Sequence, residues 1–372
     1  MGRVSSLDVL RGVAILGTFG TNVWIFSSPD GLAAVLGGGG TVESGLRALS
    51  NGKFLALLSI LFGVGLAIQH ASAVRRGARW PGWYLWRSAL LWVEGALHFV
   101  LVFEFDVLMF YATVAVLCAF VVGRSTRVIR GWMIGAGLLN VAVVGLLTAA
   151  LYGQDLVGGD SPDTSRWTDQ VAFRLEHALT LRFEAVFVLP LGTVLFLAGA
   201  QLLRAGALER SVRGDAIRRR LMVWGLGLGV PLNALTAFAG TDWALVDRYL
   251  CAPIVAFGLL GAVTALVHRM AEAPGPLRQG ITAVGRSALS CYIAQNVLAS
   301  VLCYQWGLGI TGGPLWTITC FAVVSAVVTT GAWLWLRRFP RGPVETVWDV
   351  LHRAPQRWLS SRRTRCLPGR SA

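Results

Sequence analysis

Charged side chains are scarce in this sequence of 372 residues. Asp, Glu, Lys and Arg together make up 14% of the chain, whereas a soluble domain carries about 25%. So little charge does not cover the surface of a soluble globular protein, and it also excludes a disordered chain and a coiled coil. Lys53 is the only lysine, and the other basic residues are arginines.

Several motifs of well-known enzyme classes are absent as well. The sequence has no glycine-rich loop followed by lysine, no H-E-x-x-H and no G-x-S-x-G, which argues against a P-loop nucleotide hydrolase, a zincin and a serine hydrolase. The six cysteines show neither metal-ligand spacing nor the pattern of a disulfide framework. We therefore expect no metal site, and we expect the cysteines of the apolar segments to pack as small apolar residues.

Long apolar runs fill the chain instead. Hydrophobic residues make up 55% of it, and stretches of about 18 residues or more with few charges are typical of transmembrane helices. The predicted fold is an all-α, polytopic transmembrane bundle, in which residues 1–340 form a single domain and residues 341–372 a basic cytoplasmic tail. About ten spans are predicted, at residues 6–26, 53–72, 83–103, 106–123, 131–152, 183–203, 221–239, 247–267, 286–306 and 315–336.

The distribution of arginine predicts the orientation of the spans. If the N-terminus is cytoplasmic, the termini and the loops after even-numbered spans carry 25 arginines, and the opposite side carries six basic residues. Such a bias favours both termini in the cytoplasm. The net charge of +14 therefore reflects membrane topology, and we expect a lipid bilayer and no nucleic acid as the partner. The longest outer loop, at about 153–182, is acidic.

Ionisable residues inside a span are costly, and each is therefore a candidate for function. His98 lies inside the third predicted span, and Asp106 follows eight residues later across a tight turn. Antiparallel neighbouring helices bring two such residues together. A carboxylate on one ring nitrogen fixes the tautomer and raises the basicity of the other nitrogen, as in a general base. The spacing leaves two other roles open for His98, a cross-helix hydrogen bond and a link in a proton relay.

Polar residues of other spans are candidates for binding a substrate. Asp8 and Arg11 are spaced i, i+3 and share one helical face. They form either a simple ion pair at the helix end or a cytoplasmic-side site for an anionic ligand, because a guanidinium group suits phosphate. Glu104, next to Asp106, is a further candidate for catalysis. The remaining candidates for substrate binding are Asn22, Tyr111, Arg286, Tyr292, Gln295 and Asn296.

Four segments occur in an order that resembles one family. They are RVSSLDVLRGVAILGTFGTN at 3–22, EGALHFVLVFEFDVLMFYA at 94–112, GRSALSCYIAQN at 285–296 and FPRGPVETVW at 339–348. Together they span nearly the whole chain and resemble the YeiB-like family of polytopic membrane proteins. That family is grouped in a transmembrane acyltransferase superfamily, which includes heparan-α-glucosaminide N-acetyltransferase.

The resemblance implies transfer of an acyl group from cytoplasmic acyl-CoA, with acetyl-CoA as the expected donor, to an acceptor that often lies across the membrane. It places the usual membrane histidine at His98, the opening motif at Asp8 and Arg11, and the aspartate that follows the histidine at Asp106. It also implies a multi-pass protein of the bacterial cytoplasmic (inner) membrane. The sequence departs from the family by Glu-Phe at 104–105, where a residue such as glycine is expected, which puts the shape of the acceptor side in doubt.

From the residues and the resemblance together we predict an integral-membrane acyltransferase with His98 as general base. The acceptor would be a hydroxyl or amine of a glycan, lipid, peptide or secondary metabolite. Two other classes stay open. One is a transporter or exporter of a small metabolite that uses the same intramembrane polar residues, and the other is a non-catalytic partner in envelope assembly. A homo-oligomer is compatible with the sequence, which contains no motif for one.

Overall fold

A computed structural model describes residues 5–27, 41–154, 162–270 and 273–365. These residues form helices joined by turns, with no β-strand among them, which confirms the predicted all-helical fold. The helices of the first half are α1 (Ser5–Ser27), α2 (Thr41–Ala48), α3 (Lys53–Arg75), α4 (Trp83–Leu101), α5 (Leu108–Val121), α6 (Thr126–Leu151), α7 (Trp167–Glu176) and α8 (Ala178–Leu181).

The helices of the second half follow with short connections. They are α9 (Ala185–Arg204), α10 (Val212–Gly227), α11 (Gly229–Phe238), α12 (Ala244–Val246), α13 (Ala252–Arg269), α14 (Pro276–Arg286), α15 (Ala288–Cys303), α16 (Pro314–Arg338) and α17 (Pro343–Arg365). A 3₁₀ turn (Thr241–Trp243) precedes α12, and a π-helical turn (Asp247–Cys251) precedes α13.

Seven stretches of the described chain are helical and are long and apolar enough to cross a membrane. All ten predicted spans are helical, but three do not reach this length and composition. α5 and α15 have 14 and 16 residues, and α4 carries Arg87, Glu94 and His98 among its 19 residues. Seven helical stretches therefore have spanning length and composition, and the chain is a polytopic membrane protein. The count of about ten spans stays a prediction.

Helix α1 lies at the centre of the bundle. Of its most apolar 18-residue window, 72% is buried, whereas only 17% of the corresponding window of α6 is buried. α1 packs against α3, α13, α14, α15 and α16. The apolar side chains of α6 that remain uncovered face the bilayer, because a helix that is apolar on its outer face needs an apolar solvent. α4 and α5 form the tight antiparallel hairpin that their close spacing predicts.

Two glycines allow α3 and α9 to pack closely. A Cβ atom at Gly63 would lie 1.9 Å from the backbone oxygen of Phe196, and one at Gly199 would lie 2.0 Å from that of Ile60. Neither distance leaves room for a side chain. Small residues at helix crossings allow this approach, and they are common where membrane helices associate.

The segment predicted as a basic tail begins as part of the bundle. Helix α17 packs against α4 and α15, so the described part of this segment contacts the helices of residues 1–340. Residues 366–372 of the predicted tail, and residues 155–161 of the acidic outer loop, lie outside the described residues. The described part of that loop forms α7 and α8.

Candidate functional site

His98 lies in the last turn of α4, and Asp106 lies in the turn that leads to α5. Nδ1 of His98 is 2.9 Å from Oδ1 of Asp106, and both side chains are at most 1% exposed. The contact expected from their spacing is therefore present. Because the carboxylate accepts a hydrogen bond from Nδ1–H, the imidazole presents a lone pair at Nε2.

The second oxygen of Asp106 holds the first turn of α5. Oδ2 accepts the backbone N–H of Leu108 at 2.9 Å and that of Met109 at 3.4 Å, which satisfies donors that a helix N-terminus leaves without an intrahelical acceptor. A Cβ atom at Gly95 would lie 2.9 Å from this oxygen. Glycine at that position therefore lets α4 approach the turn closely, and the local sequence fixes the orientation of Asp106.

Residues of α1 and α15 complete the surroundings of the pair. Nδ2 of Asn296 lies 3.3 Å from Nε2 of His98, and Oδ1 of Asn296 accepts from Nδ2 of Asn22 at 3.2 Å. The hydroxyl of Tyr292 donates to Oδ1 of Asp106 over 3.4 Å. The structure therefore brings three of the predicted binding residues into one hydrogen-bonded network with His98 and Asp106.

Glu104 has a different partner, although it is close to the pair in sequence. Its Oε2 accepts from Nε of Arg174 at 3.2 Å, and the two side chains are 5% and 1% exposed. Arg174 also donates to the backbone oxygens of Val100 and Val102, at 3.3 Å and 3.0 Å. Glu104, which the sequence predicts as a candidate for catalysis, thus forms an ion pair with the buried Arg174 of α7.

A second arginine of the outer loop, Arg182, holds the same turn. It donates to the backbone oxygen of Asp106 at 2.8 Å and to that of Glu104, and its guanidinium carbon lies 4.1 Å from the ring centroid of Phe99. In the sequence, Arg174 and Arg182 are only two of the six basic residues on the side predicted to lie opposite the cytoplasm. No local signal marks their roles, because their hydrogen-bond partners at the turn lie 70 and 76 residues away in the chain.

A cavity of about 620 Å³ extends from the arginine-rich end of the bundle to Tyr292 and Leu108, and neither His98 nor Asp106 itself lines it. At its deep end lie Tyr292 and Leu108, both of which donate hydrogen bonds to Asp106. This size is within the range of sites that hold small molecules and cofactors. The lining changes from apolar side chains of α3, α5 and α15 to charged side chains at the mouth. These are four arginines, Arg11, Arg87, Arg286 and Arg341, and two carboxylates, Glu345 and Asp349.

Two of those arginines were predicted as binding residues. Arg11 lies 3.5 Å from the carboxylate of Asp8, as the i, i+3 spacing suggested, and its side chain is 36% exposed. Arg286 donates to the backbone oxygen of Pro340 at 3.2 Å. Both therefore contribute charge to the mouth of the cavity. Arg87 and Arg341 were not singled out from the sequence, because an arginine near the end of a span is already explained by topology.

Two other predicted binding residues lie behind the lining of the large cavity. Nε2 of Gln295 donates to the backbone oxygen of Ile15 at 3.4 Å, and the hydroxyl of Tyr111 donates to that of Leu55 at 2.8 Å. Tyr111 lines a separate cavity of about 30 Å³. The structure does not bring either residue to the His98–Asp106 network among the described contacts.

A second buried polar cluster surrounds the π-helical turn before α13. Asp247 accepts from Asn51 at 3.1 Å and from Asn233 at 2.6 Å. Arg248 donates to Asn51 at 2.9 Å and to Glu184 at 3.1 Å. These bonds pair the charges within the protein and connect the turns that precede α3 and α9 to α11, so the cluster crosslinks these segments.

The cysteines of the described residues are not paired in disulfides. Cys118, Cys251, Cys291, Cys303 and Cys320 are buried free thiols, and Cys366 lies outside the described residues. The Sγ atoms of Cys303 and Cys320 are 3.9 Å apart, well beyond the bond length of about 2.05 Å in a disulfide. Within the described ranges no group of three or more His, Cys, Asp or Glu is arranged to hold a metal ion.

Comparison with known proteins confirms the resemblance to YeiB. The chain is 27% identical over 380 residues to "Uncharacterized protein YeiB" of Escherichia coli (strain K12), covering 94% of this chain and 96% of YeiB. It is 24% identical over 393 residues to "Uncharacterized protein YxaH" of Bacillus subtilis (strain 168), covering 93% of each chain. Residues 202–354 match the family described as "Protein of unknown function (DUF418)". The chain is thus a homologue of two bacterial proteins over nearly its full length, and its C-terminal part carries the DUF418 match.

Proposed function

We propose that this protein is an integral-membrane acyltransferase, which moves an acyl group from acyl-CoA to a hydroxyl or amine acceptor. The observation that carries the proposal is the cavity of about 620 Å³, which connects arginines at its mouth to Tyr292 and Leu108 at its deep end. Guanidinium groups suit the phosphates of a CoA donor. The oriented imidazole beyond the deep end suits removal of a proton from an acceptor.

The hydrogen bonds around His98 support its role as general base. Asp106 holds Nδ1–H, so Nε2 is free to take a proton once an acceptor replaces Asn296 beside it. The acceptor oxygen or nitrogen then bonds to the thioester carbon while its proton passes to Nε2. The carbon–sulfur bond breaks, and the proton passes from Nε2 to the departing sulfur, which leaves as the CoA thiol. Asp106 stabilises the transient imidazolium in the same way that it fixes the tautomer.

The orientation predicted from arginine assigns the two sides of the reaction. If the arginine-rich end faces the cytoplasm, the mouth of the cavity is open to cytoplasmic acyl-CoA, with acetyl-CoA as the expected donor. The turn with Asp106, to which Arg174 of α7 and Arg182 donate hydrogen bonds, then lies toward the outer side. An acceptor that arrives from that side meets the imidazole opposite the donor, and the acyl group crosses the membrane during transfer.

The test uses radiolabelled acetyl-CoA and bacterial membranes that contain either the wild-type protein or the His98→Gln variant. We expect wild-type membranes to release CoA and to retain label on membrane or envelope material. We expect His98→Gln to reduce both by about 10² or more, since general-base catalysis contributes 10²–10⁴-fold. The matched control is His177→Gln, which changes a histidine stacked on Phe173 in the outer loop.

Either outcome is informative about the class of protein. Loss of transfer in His98→Gln with an unchanged thermal midpoint supports the acyltransferase. Transfer by His98→Gln equal to that of the wild type contradicts the role of His98 as general base. No transfer in the wild type above membranes without the protein contradicts the acyltransferase. In that case a counterflow assay for a small metabolite would test the transporter hypothesis.

A further inference from the structure

The start of the predicted tail forms one wall of the large cavity. A segment that served only as a solvated basic tail would not enclose a cavity between membrane helices. Here residues of the connection after α16 and of the first turns of α17 face the same space as Arg11 and Tyr292. The residues of this segment that line the cavity are Pro340, Arg341, Glu345, Trp348 and Asp349.

Glu345 fixes this wall to the first turn of α15. Its Oε1 accepts the backbone N–H groups of Leu289 and Ser290, at 2.8 Å and 3.2 Å, and its Oε2 accepts the Ser290 hydroxyl. Oγ of Ser290 in turn accepts the N–H of Val344 at 3.0 Å. A carboxylate at a helix N-terminus is favourable because it complements the helix dipole. The position of the wall therefore depends on the charge of Glu345.

Two buried donors on the cavity lining lack an acceptor. Nε1 of Trp348 and Nε of Arg286 have no hydrogen-bond partner among the described residues. Most buried donors in proteins are satisfied, and a bound molecule is one explanation when they are not. The guanidinium carbon of Arg87 lies 4.4 Å from the ring centroid of Trp348. Arg341 lines the same wall, where it forms an ion pair with Asp349. An acceptor that suits this group of donors and cations is an anion with several oxygens.

We infer that this wall is a phosphate-binding subsite. Oxygens of the phosphate accept from Nε1 of Trp348 and Nε of Arg286. The charges of Arg286 and Arg87 balance that of the phosphate, because Arg341 is paired with Asp349. The inference rests on the proposed function for the identity of the ligand, which is the phosphate-bearing end of acyl-CoA. A phospholipid headgroup offers the same chemistry at the edge of a membrane. Glu345 acts as a positioning residue, because it holds the segment that carries Trp348.

The first test compares two ligands in calorimetric titrations of the full-length protein in phosphatidylcholine nanodiscs. CoA carries the phosphates, and pantetheine lacks them. We expect Trp348→Phe, which removes the N–H and keeps the ring, to weaken CoA binding about tenfold, because hydrogen bonds to charged groups contribute most. Pantetheine binding should not change. The control is Trp333→Phe, since Nε1 of Trp333 already donates to Gln279 at 3.3 Å and lies outside the lining.

The second test does not depend on the folding of a variant at the wall. We expect CoA to slow amide hydrogen exchange of residues 340–354 in the wild type, and pantetheine to leave it unchanged. Glu345→Gln should weaken CoA binding and leave pantetheine binding unchanged. The matched control is Glu209→Gln, which removes one exposed carboxylate from the same end of the bundle.

The possible outcomes separate this inference from the proposed function. CoA binding that is equal in wild type and Trp348→Phe, or that leaves exchange at 340–354 unaltered, overturns the subsite and leaves the acyltransferase standing. Failure of CoA to bind, with protection of 340–354 when phosphatidylglycerol is added to the nanodiscs, assigns the subsite to a lipid headgroup and overturns the CoA donor. Absence of both effects overturns the two proposals together.

Discussion

The hydroxyl of Tyr292 donates a hydrogen bond to Oδ1 of Asp106 over 3.4 Å. The same oxygen accepts from Nδ1 of His98 at 2.9 Å. Tyr292 also lines the cavity that begins among the arginines, so it lies between the space for a donor and the residues that would act on an acceptor. A ligand that reaches the deep end of the cavity therefore meets a group that is coupled directly to the carboxylate behind His98.

Tyr292→Phe tests this coupling. We expect kcat to fall by about fivefold, because Asp106 loses one of the hydrogen bonds that hold it against His98, a net contribution of roughly 1 kcal/mol. KM for acetyl-CoA should change little, since the ring still packs at the end of the cavity. The measurement is acetyl transfer at varied acetyl-CoA, with the thermal midpoint as a control for folding. A variant with wild-type kcat would show that the Tyr292 hydroxyl is dispensable for the reaction.

Arg174 and Glu104 provide a test of what holds the outer loop. Arg174→Met leaves the buried carboxylate of Glu104 without its partner, and we expect a loss of stability of about 3–5 kcal/mol. The double variant Glu104→Gln/Arg174→Met should recover part of that loss, because it removes both charges. Thermal midpoints of the purified proteins give the comparison. A loss of stability in the double variant equal to the sum of the losses in Arg174→Met and Glu104→Gln alone would contradict this expectation. That result would show that the two charges act independently and that the buried pair does not stabilise the loop.

The sequence predicts those parts of the fold and site that depend on residues close together in the chain. Apolar runs place all ten predicted segments in helices, and the eight-residue spacing across a turn anticipates the contact of His98 with Asp106. By length and composition, seven helical stretches could span a membrane, whereas α4, α5 and α15 are too short or too polar to meet that criterion. Of these helices, α4 carries His98, α15 carries Tyr292, and α5 has its first turn held by Asp106.

The parts that the sequence does not predict depend on distant pairs. Glu104 is a candidate for catalysis as long as only its neighbours in sequence are known, and Arg174, 70 residues away, gives it a structural partner. Likewise, the arginine-rich start of the C-terminal segment is typical of a solvated tail. Only the bonds between Glu345 and the first turn of α15, 55 and 56 residues earlier, make it a wall of the cavity.

The crossing of α3 and α9 is expected to depend on the absence of a side chain at Gly63. Gly63→Ala would place a methyl group 1.9 Å from the backbone oxygen of Phe196, so the helices must separate, and we expect a loss of about 1–3 kcal/mol by overpacking. Gly65→Ala is the matched control on the same helix, because a Cβ there meets nothing within 4 Å. Thermal unfolding in detergent measures both. Equal midpoints for the two variants would contradict close packing at this crossing.

The buried carboxylate of Glu94 is expected to lower the free energy of unfolding of the wild-type protein. Both of its carboxylate oxygens are buried and have no hydrogen-bond partner among the described residues, and it lies one helical turn before His98. Burying a polar group without a partner costs about 1–3 kcal/mol, so Glu94→Met, which has a similar length and no charge, should raise the thermal midpoint by roughly 2 °C or more. Acetyl transfer is measured on the same preparation. A higher midpoint with transfer retained would identify Glu94 as an unsatisfied group without a role in the reaction. A higher midpoint with transfer lost would show that the reaction uses this carboxylate, and a lower midpoint would contradict the prediction.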